Sequence, residues 1–443
     1  MPRGLQTITI SFEDSTLTHY GGMVLFQQFC RKLDLKRLFQ RHIPWERRDS
    51  TYQGTELLLC LLYSMVAGLK RISDTRILAY NRSFQRLLGL PRFPADTTLR
   101  NFLYRLAPAE LQGILRVHDL LRGRLRAVTG VQTSAIWDCD STVLPLYGWT
   151  IQGARVGYNP RKPSRPSYHP VVVFEGHTQG TLEGLLRPGD TQPVTVAKRL
   201  VQSCQAKLPK YAHRKQVTIR LRADAGFYAG DFIQFLDEQR VGYVIVAKLT
   251  RPLKERATTL RFRTFRQEGQ WQVVSTRYQP HGWKQPHRFI LVRRPKPSRD
   301  EEAQQLTLWP FKDFFYHALV SNLPLTPAAV YRFYTGRANI ELDLRELKEA
   351  FPLGKIPTIR FTANAAHFEL ILLAYDLVNW FRRICLMGPW KTARLQTLRY
   401  ELFMLPARLL NVGHRNVLKL PDHYPYRKRF KQVLTTIRRL KVP

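Results

Sequence analysis

Apolar residues recur at helical spacing through the first quarter of the chain and switch to strand-like runs near residue 134. Periodic stretches at 56–69 and 74–88 predict helices, and 97–106 follows Asp96 as an N-cap. Segment 90–95, Leu-Pro-Arg-Phe-Pro-Ala, separates the last two. Two readings of that pair stand. A helix-turn-helix would make Thr97, Thr98, Arg100, Asn101 and Arg105 a DNA-reading surface. The linker exceeds the usual three- or four-residue turn, which suits an ordinary helical bundle.

From Ser134 the pattern predicts strands at 134–142, 170–175 and 181–187, then a helix at 194–208 and a strand at 217–223. A helix at 231–239 and a strand at 243–248 follow. The order β-β-β-α-β-α-β is the ribonuclease H-like plan: three antiparallel strands, then crossovers by helices. A block over 250–322, strand-rich around 259–265, 271–278 and 288–293, reads as a β insertion into that core. After it, Thr326 caps and Pro327 begins a further helix. The expected fold class is therefore mixed α/β, with a ribonuclease H-like core interrupted by strands and helical DNA-binding regions at both ends. The expected segments are 1–128, 129–249, 250–322, 323–390 and 391–443.

Charge narrows the function classes. Among 443 residues, 70 Lys and Arg face 33 Asp and Glu, a net charge of +37. An excess of that size points to a polyanionic partner. It is dispersed along the chain, and 44% hydrophobic residues argue for a folded protein rather than a basic arm. The five cysteines lie far apart without a CxxC pair, so neither a zinc finger nor a disulfide framework is expected. The longest apolar run, 57–69, is too short to span a bilayer. No membrane partner and a reducing, intracellular setting are expected.

Candidate chemistry gathers at three carboxylates. Asp140 ends the first strand and Asp224 the fourth, and those strands are neighbours in the plan. Asp138, two residues earlier on the same face, is the rival first ligand; the Ser-Thr pair after Asp140 favours Asp140. The third acid lies in Tyr334-Thr-Gly-Arg337-Ala-Asn-Ile-Glu341, which continues to Arg345 and Lys348. At roughly 100° per residue, Tyr334, Arg337, Glu341 and Lys348 fall within roughly 60° on one helix face. Asp343 and Glu346 project roughly 180° and 120° away. Clustered carboxylates repel one another unless hard divalent cations neutralise them, which suits Mg2+, with Mn2+ as substitute. Two ions would serve both the attacking and leaving oxygens of phosphodiester chemistry. The loop after the first strand supplies Arg155, Tyr158, Asn159, Arg161, Lys162, Arg165 and His169 as a DNA track. Trp271, Trp283 and Trp309 of the insertion could stack on a displaced base or pack in a core. His317 and His367 read as core residues.

Taken together, the Tyr334/Arg337/Glu341/Lys348 pattern, Asp140-Ser-Thr and Arg222-Ala-Asp224-Ala-Gly-Phe-Tyr resemble DDE transposases of bacterial insertion sequences. More narrowly they resemble the group with a Y-x2-R-x3-E-x6-K signature. Gly157-Tyr-Asn-Pro160, Ser167-Tyr-His-Pro170, Arg187-Pro-Gly189 and Phe361-Thr-Ala-Asn364 are similar to its thirteen-eighty family. The resemblance spans about residues 50 to 380. It implies Asp140, Asp224 and Glu341 as the metal-binding triad, with Tyr334, Arg337 and Lys348 on phosphates near the cleaved end. The implied activity is cut-and-paste transposition in a bacterial, nucleoid-associated setting. The enzyme would bind double-stranded terminal inverted repeats, cut there and join 3′ hydroxyls to target DNA; related enzymes pass through a hairpin. A DNA-bound homodimer is expected, because two ends must be held together and phosphates neutralise like-charged protomers. In the basic C-terminal segment, Arg427-Lys-Arg429 and Arg438-Arg439 are candidates for bridging the ends. A ribonuclease H-like nuclease without strand joining and a non-catalytic DNA-binding regulator are the alternatives.

Overall fold

The structure, a computed structural model, describes residues 10–45, 51–90, 92–130, 133–159, 162–208, 217–266, 270–296, 314–413 and 415–443. The chain divides into two units, 130–345 on one side and 1–129 with 346–443 on the other. The terminal regions, expected as separate segments, thus fold together. Residues from Glu346 onward group with them.

The reason lies in the helix Phe361–Cys385, which is buried over most of its 25 residues. A helix buried on all sides needs partners all round. It is surrounded by helices Met23–Lys32, Gly54–Ala67, Asp96–Arg105, Pro108–Thr129 and Arg427–Arg439. The 74–88 stretch is not one helix. It breaks into Arg76–Ala79 and Arg82–Leu88, and the Asn81 side chain caps the second by accepting from the Phe84 amide at 2.9 Å. Asp96 is not the N-cap. It sits inside the first turn and pairs with Arg76 at 3.0 Å, while Ala95 occupies the cap position. Arg100 and Arg105 point outward from this helix. The C-terminal region is not wholly helical either. Strands Ala407–Val412 and Arg415–Lys419 pair antiparallel, and Leu17–Thr18 adds a third. The last helix, Arg427–Arg439, buries Phe430, Val433 and Ile437, so its basic residues decorate a docked helix rather than a loose tail. Among the described residues, no helix is long and apolar enough to cross a membrane.

Residues 130–345 follow the order β1 (Ser134–Ser141), β2 (Leu144–Pro145), β3 (Arg155–Val156), β4 (Pro166–Tyr168), β5 (Val171–Glu175), β6 (Thr181–Leu185), α1 (Val194–Ala206), β7 (Thr218–Ala223), α2 (Gly230–Glu238), β8 (Gly242–Val246), α3 (Arg251–Thr258), β9 (Arg263–Arg266), β10 (Trp271–Tyr278), β11 (His287–Pro295), β12 (Phe314–Ser321), α4 (Pro327–Thr335) and α5 (Ala338–Glu349), the last continuing past the boundary. The main sheet runs β9-β10-β11-β12-β8-β7-β1-β5-β6. β5 is antiparallel to β1 and β6 antiparallel to β5, whereas β1, β7 and β8 are mutually parallel. That is the ribonuclease H-like arrangement.

The insertion departs from expectation in one respect. It is continuous with the core sheet, because β12 pairs antiparallel with β8, Leu319 opposite Val246. Part of the 259–265 stretch also lies outside the strands, since α3 precedes β9. One face of the sheet packs Trp137, Cys139, Leu221, Ala223 and Phe289 against α1 and α2. On the other face, Ile290, Val292 and Leu319 pack with Val330 of α4.

Candidate active site

Strand periodicity sets the site. Trp137 and Cys139 of β1 enter the helix-covered core, so Asp138 and Asp140 point to the opposite face. In the parallel register of β1 and β7, Cys139 pairs with Ala223. The next residues, Asp140 and Asp224, therefore leave adjacent strands side by side at their carboxyl ends, where α/β sheets place ligands. Asp224 caps the single turn Ala225–Phe227, its Oδ1 accepting from the Gly226 amide at 2.9 Å. Asp140 is buried and accepts from the Ser141 amide at 2.8 Å. Burial, above all, raises its carboxyl pKa to about 6; the Asp224 charge adds to the shift and Arg337 opposes it.

Arg337 reaches this pair. Its Nη2 donates to the Cys139 carbonyl at 3.0 Å and lies 3.1 Å from Asp140 Oδ1, while its buried Nε has no protein acceptor. Tyr334 also belongs here: burial raises its hydroxyl pKa, the Arg337 charge opposes the shift, and both aspartate charges add to it. The expected single helix carrying Tyr334, Arg337, Glu341 and Lys348 is interrupted, however. α4 ends at Thr335, α5 starts at Ala338, and Gly336-Arg337 forms the joint. Glycine is a poor helix former, and here its lack of a side chain leaves room for Arg222. A Cβ on Gly336 would lie 2.7 Å from Arg222 Nη1.

Arg222 is the residue that sequence reasoning passed over. Its Nε and Nη2 each donate to one oxygen of Asp138 at 2.6 Å, and its Nη1 donates to the Phe333 carbonyl at 2.8 Å. The guanidinium also lies 5.0 Å from the centre of the Phe333 ring. Both ions are buried. With both carboxylate oxygens engaged, Asp138 is committed to this pair, whereas Asp140 faces Asp224. The available signal was cross-strand pairing of opposite charges, since Asp138 and Arg222 are direct partners in the β1–β7 register.

Glu341 does not join the two aspartates. It is exposed on α5, one helical turn beyond Arg337 and on the same face. Among the described residues, no three His, Cys, Asp or Glu side chains stand close enough to hold a metal ion together. Arg345 and Lys348 are exposed on the same helix, and Lys348 falls outside residues 130–345.

A family model described as transposase DDE domain group 1 matches residues 2–442. The chain belongs to this transposase family. A cryo-EM structure of the piggyBac transposase synaptic complex with hairpin DNA is similar over 87% of this chain and 80% of its own, at 14% identity and a TM-score of 0.45. No curated protein matches.

In this transposase the basic loop after β1 is a small flap with its own sheet, ordered β2-β4-β3. Arg155, Tyr158, Lys162 and Arg165 lie on it; Arg161 lies outside the described residues. Asn159 is buried and shapes a turn, its Oδ1 accepting from the Lys162 amide at 3.1 Å. His169 is buried at the base of the flap, its Nε2 3.1 Å from Ser141 Oγ, and burial lowers its pKa. The insertion tryptophans are occupied by packing. Trp271 lies against Tyr331 and Arg294, and Trp283 against Tyr228 and His287. Trp309 lies outside the described residues. His317 contacts Tyr331 and Tyr334, and His367 is buried, as expected of packing residues.

The donor set fits a hard divalent cation in part. Two carboxylates sit together with Arg337 as counter-charge, 3.1 Å from Asp140.

Proposed function

We propose that this transposase cuts DNA at transposon ends and joins the freed 3′ hydroxyl to target DNA, a cut-and-paste reaction. The observation that carries this reading is the buried Asp140 beside Asp224 at adjacent strand ends, with Arg337 and Tyr334 drawn onto them. Asp140, Asp224 and Glu341 would hold Mg2+, with Mn2+ as substitute; two bound ions supply charge neutralisation and polarisation of the phosphate. Glu341 comes into play by turning its exposed side chain inward beside Arg337.

The chain's own groups do the rest. Arg337, whose Nε lacks an acceptor, and the Tyr334 hydroxyl orient the scissile phosphate against the carboxylates. Lys348 and Arg345 extend the cationic face along α5. Water adds to phosphorus as the bond to the 3′ oxygen breaks, leaving a 3′ hydroxyl and a 5′ phosphate. That 3′ hydroxyl then attacks a target phosphodiester, losing its proton as the target's 3′ oxygen departs. Arg155, Tyr158, Arg161, Lys162 and Arg165 of the flap track the terminal inverted repeat toward the aspartates. His169 and Asn159 hold the flap's shape and base. Arg100, Arg105 and the basic face of Arg427–Arg439 are further duplex contacts, and two ends are held by a DNA-bound homodimer.

The test combines purified protein, Mg2+, labelled end DNA and a supercoiled plasmid. Joined products are expected from the wild type; nicked products alone would favour a nuclease. D140A, D224A and E341A should each lose cleavage at least about 100-fold while still binding end DNA. Full activity of E341A would remove that residue from the metal set. Light scattering with end DNA should give two protomers per pair of ends.

A further inference from the structure

Three large aromatic side chains on the flap are turned to solvent. Tyr147 is 77% exposed, Trp149 72% and Tyr158 74%. Rings of this size left in water forgo the stabilisation that burial gives, and a cluster of exposed apolar groups marks a contact surface.

The scaffold beneath them is ordered. Tyr168 of β4 is buried and donates its hydroxyl to the Gln152 carbonyl at 2.6 Å. Gly157 packs so tightly on the Gly189 segment that a Cβ would lie 2.0 Å from the Gly189 carbonyl oxygen. Tyr147 itself is held: Lys162 Nζ donates to its hydroxyl at 2.8 Å, and the Arg165 guanidinium lies 4.8 Å from its ring centre. Between Asp140 and Glu175 the sequence contains no acid. Both ends of the flap adjoin Asp140, since β2 begins at Leu144 and His169 reaches Ser141.

A partner that satisfies this surface is polyanionic and presents flat, unstacked rings. Duplex DNA offers phosphates to Arg155 and Arg165 but keeps its bases stacked inside. Unpaired nucleotides offer both, and stacking on aromatic side chains contributes strongly per base whatever the sequence. We propose that the flap binds unpaired DNA bases beside the cleavage site through Tyr147, Trp149 and Tyr158. The proposal rests on the transposase reading for its DNA partner and not on the identity of the metal ligands.

The experiment measures binding of full-length protein, without divalent cation, to a blunt duplex and to the same duplex with an unpaired thymidine tail. The wild type should prefer the tailed DNA, and W149A should weaken tailed binding about 5- to 100-fold. Blunt binding should change less than about twofold, and W149F should restore tail binding. R165A should weaken both DNAs, as loss of a phosphate contact would. Equal affinity of the wild type for the two DNAs overturns the proposal, as does equal weakening of both by W149A. A wild type that prefers tails yet never cuts or joins would sink the catalytic reading alone. One that cuts and joins without tail preference would sink the stacking proposal alone.

Discussion

Arg222 grips Asp138 with two hydrogen bonds of 2.6 Å across neighbouring strands, and with its third nitrogen holds the Phe333 carbonyl at the end of α4. One guanidinium thus ties the sheet that bears Asp140 to the joint that bears Arg337. The pair is buried, so its desolvation cost is offset only while both partners and all three donors are engaged.

Breaking the pair should therefore be expensive. R222A is expected to cost about 3–5 kcal/mol in urea unfolding, because it leaves the Asp138 charge buried and unpaired. R222K keeps the charge but loses the fork, and should recover part of the stability. An R222A protein as stable as the wild type would show that the pair contributes nothing.

Gly336 gives a prediction of opposite sign to helix propensity. Glycine to alanine in an unconstrained helix stabilises by about 1 kcal/mol. At this joint the added Cβ would meet Arg222 Nη1 at 2.7 Å, so G336A should destabilise and weaken cleavage. Thermal unfolding decides it, and a raised melting temperature would mean that the guanidinium yields at no cost.

Asp140 predicts a pH dependence. Its pKa rises from 3.8 unfolded to about 6 folded. The folded protein then holds the extra proton between those values, so this carboxyl's contribution to stability is full below the unfolded pKa. It is lost as pH rises through about 6, with an amplitude of roughly 3 kcal/mol. Urea unfolding of wild type and D140N, in chelator from pH 4 to 7.5, should show the wild type losing stability relative to the variant across that window. Parallel curves would mean that the carboxyl titrates normally.

A second buried network stabilises residues 1–129 with 346–443. His118 places Nδ1 2.6 Å from Glu369 and Nε2 2.8 Å from Asp376, and Arg122 lies 3.7 Å from Asp376. All four residues are buried. D376A should cost about 3–5 kcal/mol, since it strands positive charge in the core. Retained stability in that variant would assign the cohesion to apolar packing of Phe361–Cys385 alone.

Much of the fold was legible because it is local. Strand alternation located β1, β5, β6 and β7, and Asp140 and Asp224 stood out as acids ending apolar strands. Thr326 capped α4 as its sequence indicated, accepting from the Ala329 amide at 3.3 Å. Helical periodicity likewise located Gly54–Ala67, α1 and α2. What sequence left open depended on partners distant along the chain. Pairing of β12 with β8 made the insertion an extension of one sheet, and no periodicity encodes which edge a strand will join. Asp138 and Asp140 share a face and a residue type; they were separated only by Arg222, eighty-four positions after Asp138, arriving on the neighbouring strand. Gly336 marked where the helix carrying Tyr334 and Glu341 could kink, but only the fold placed Arg222 in the space a side chain there would need. Local propensities determined the elements, whereas buried charge, which must find a partner wherever the chain supplies one, decided how the site was assembled.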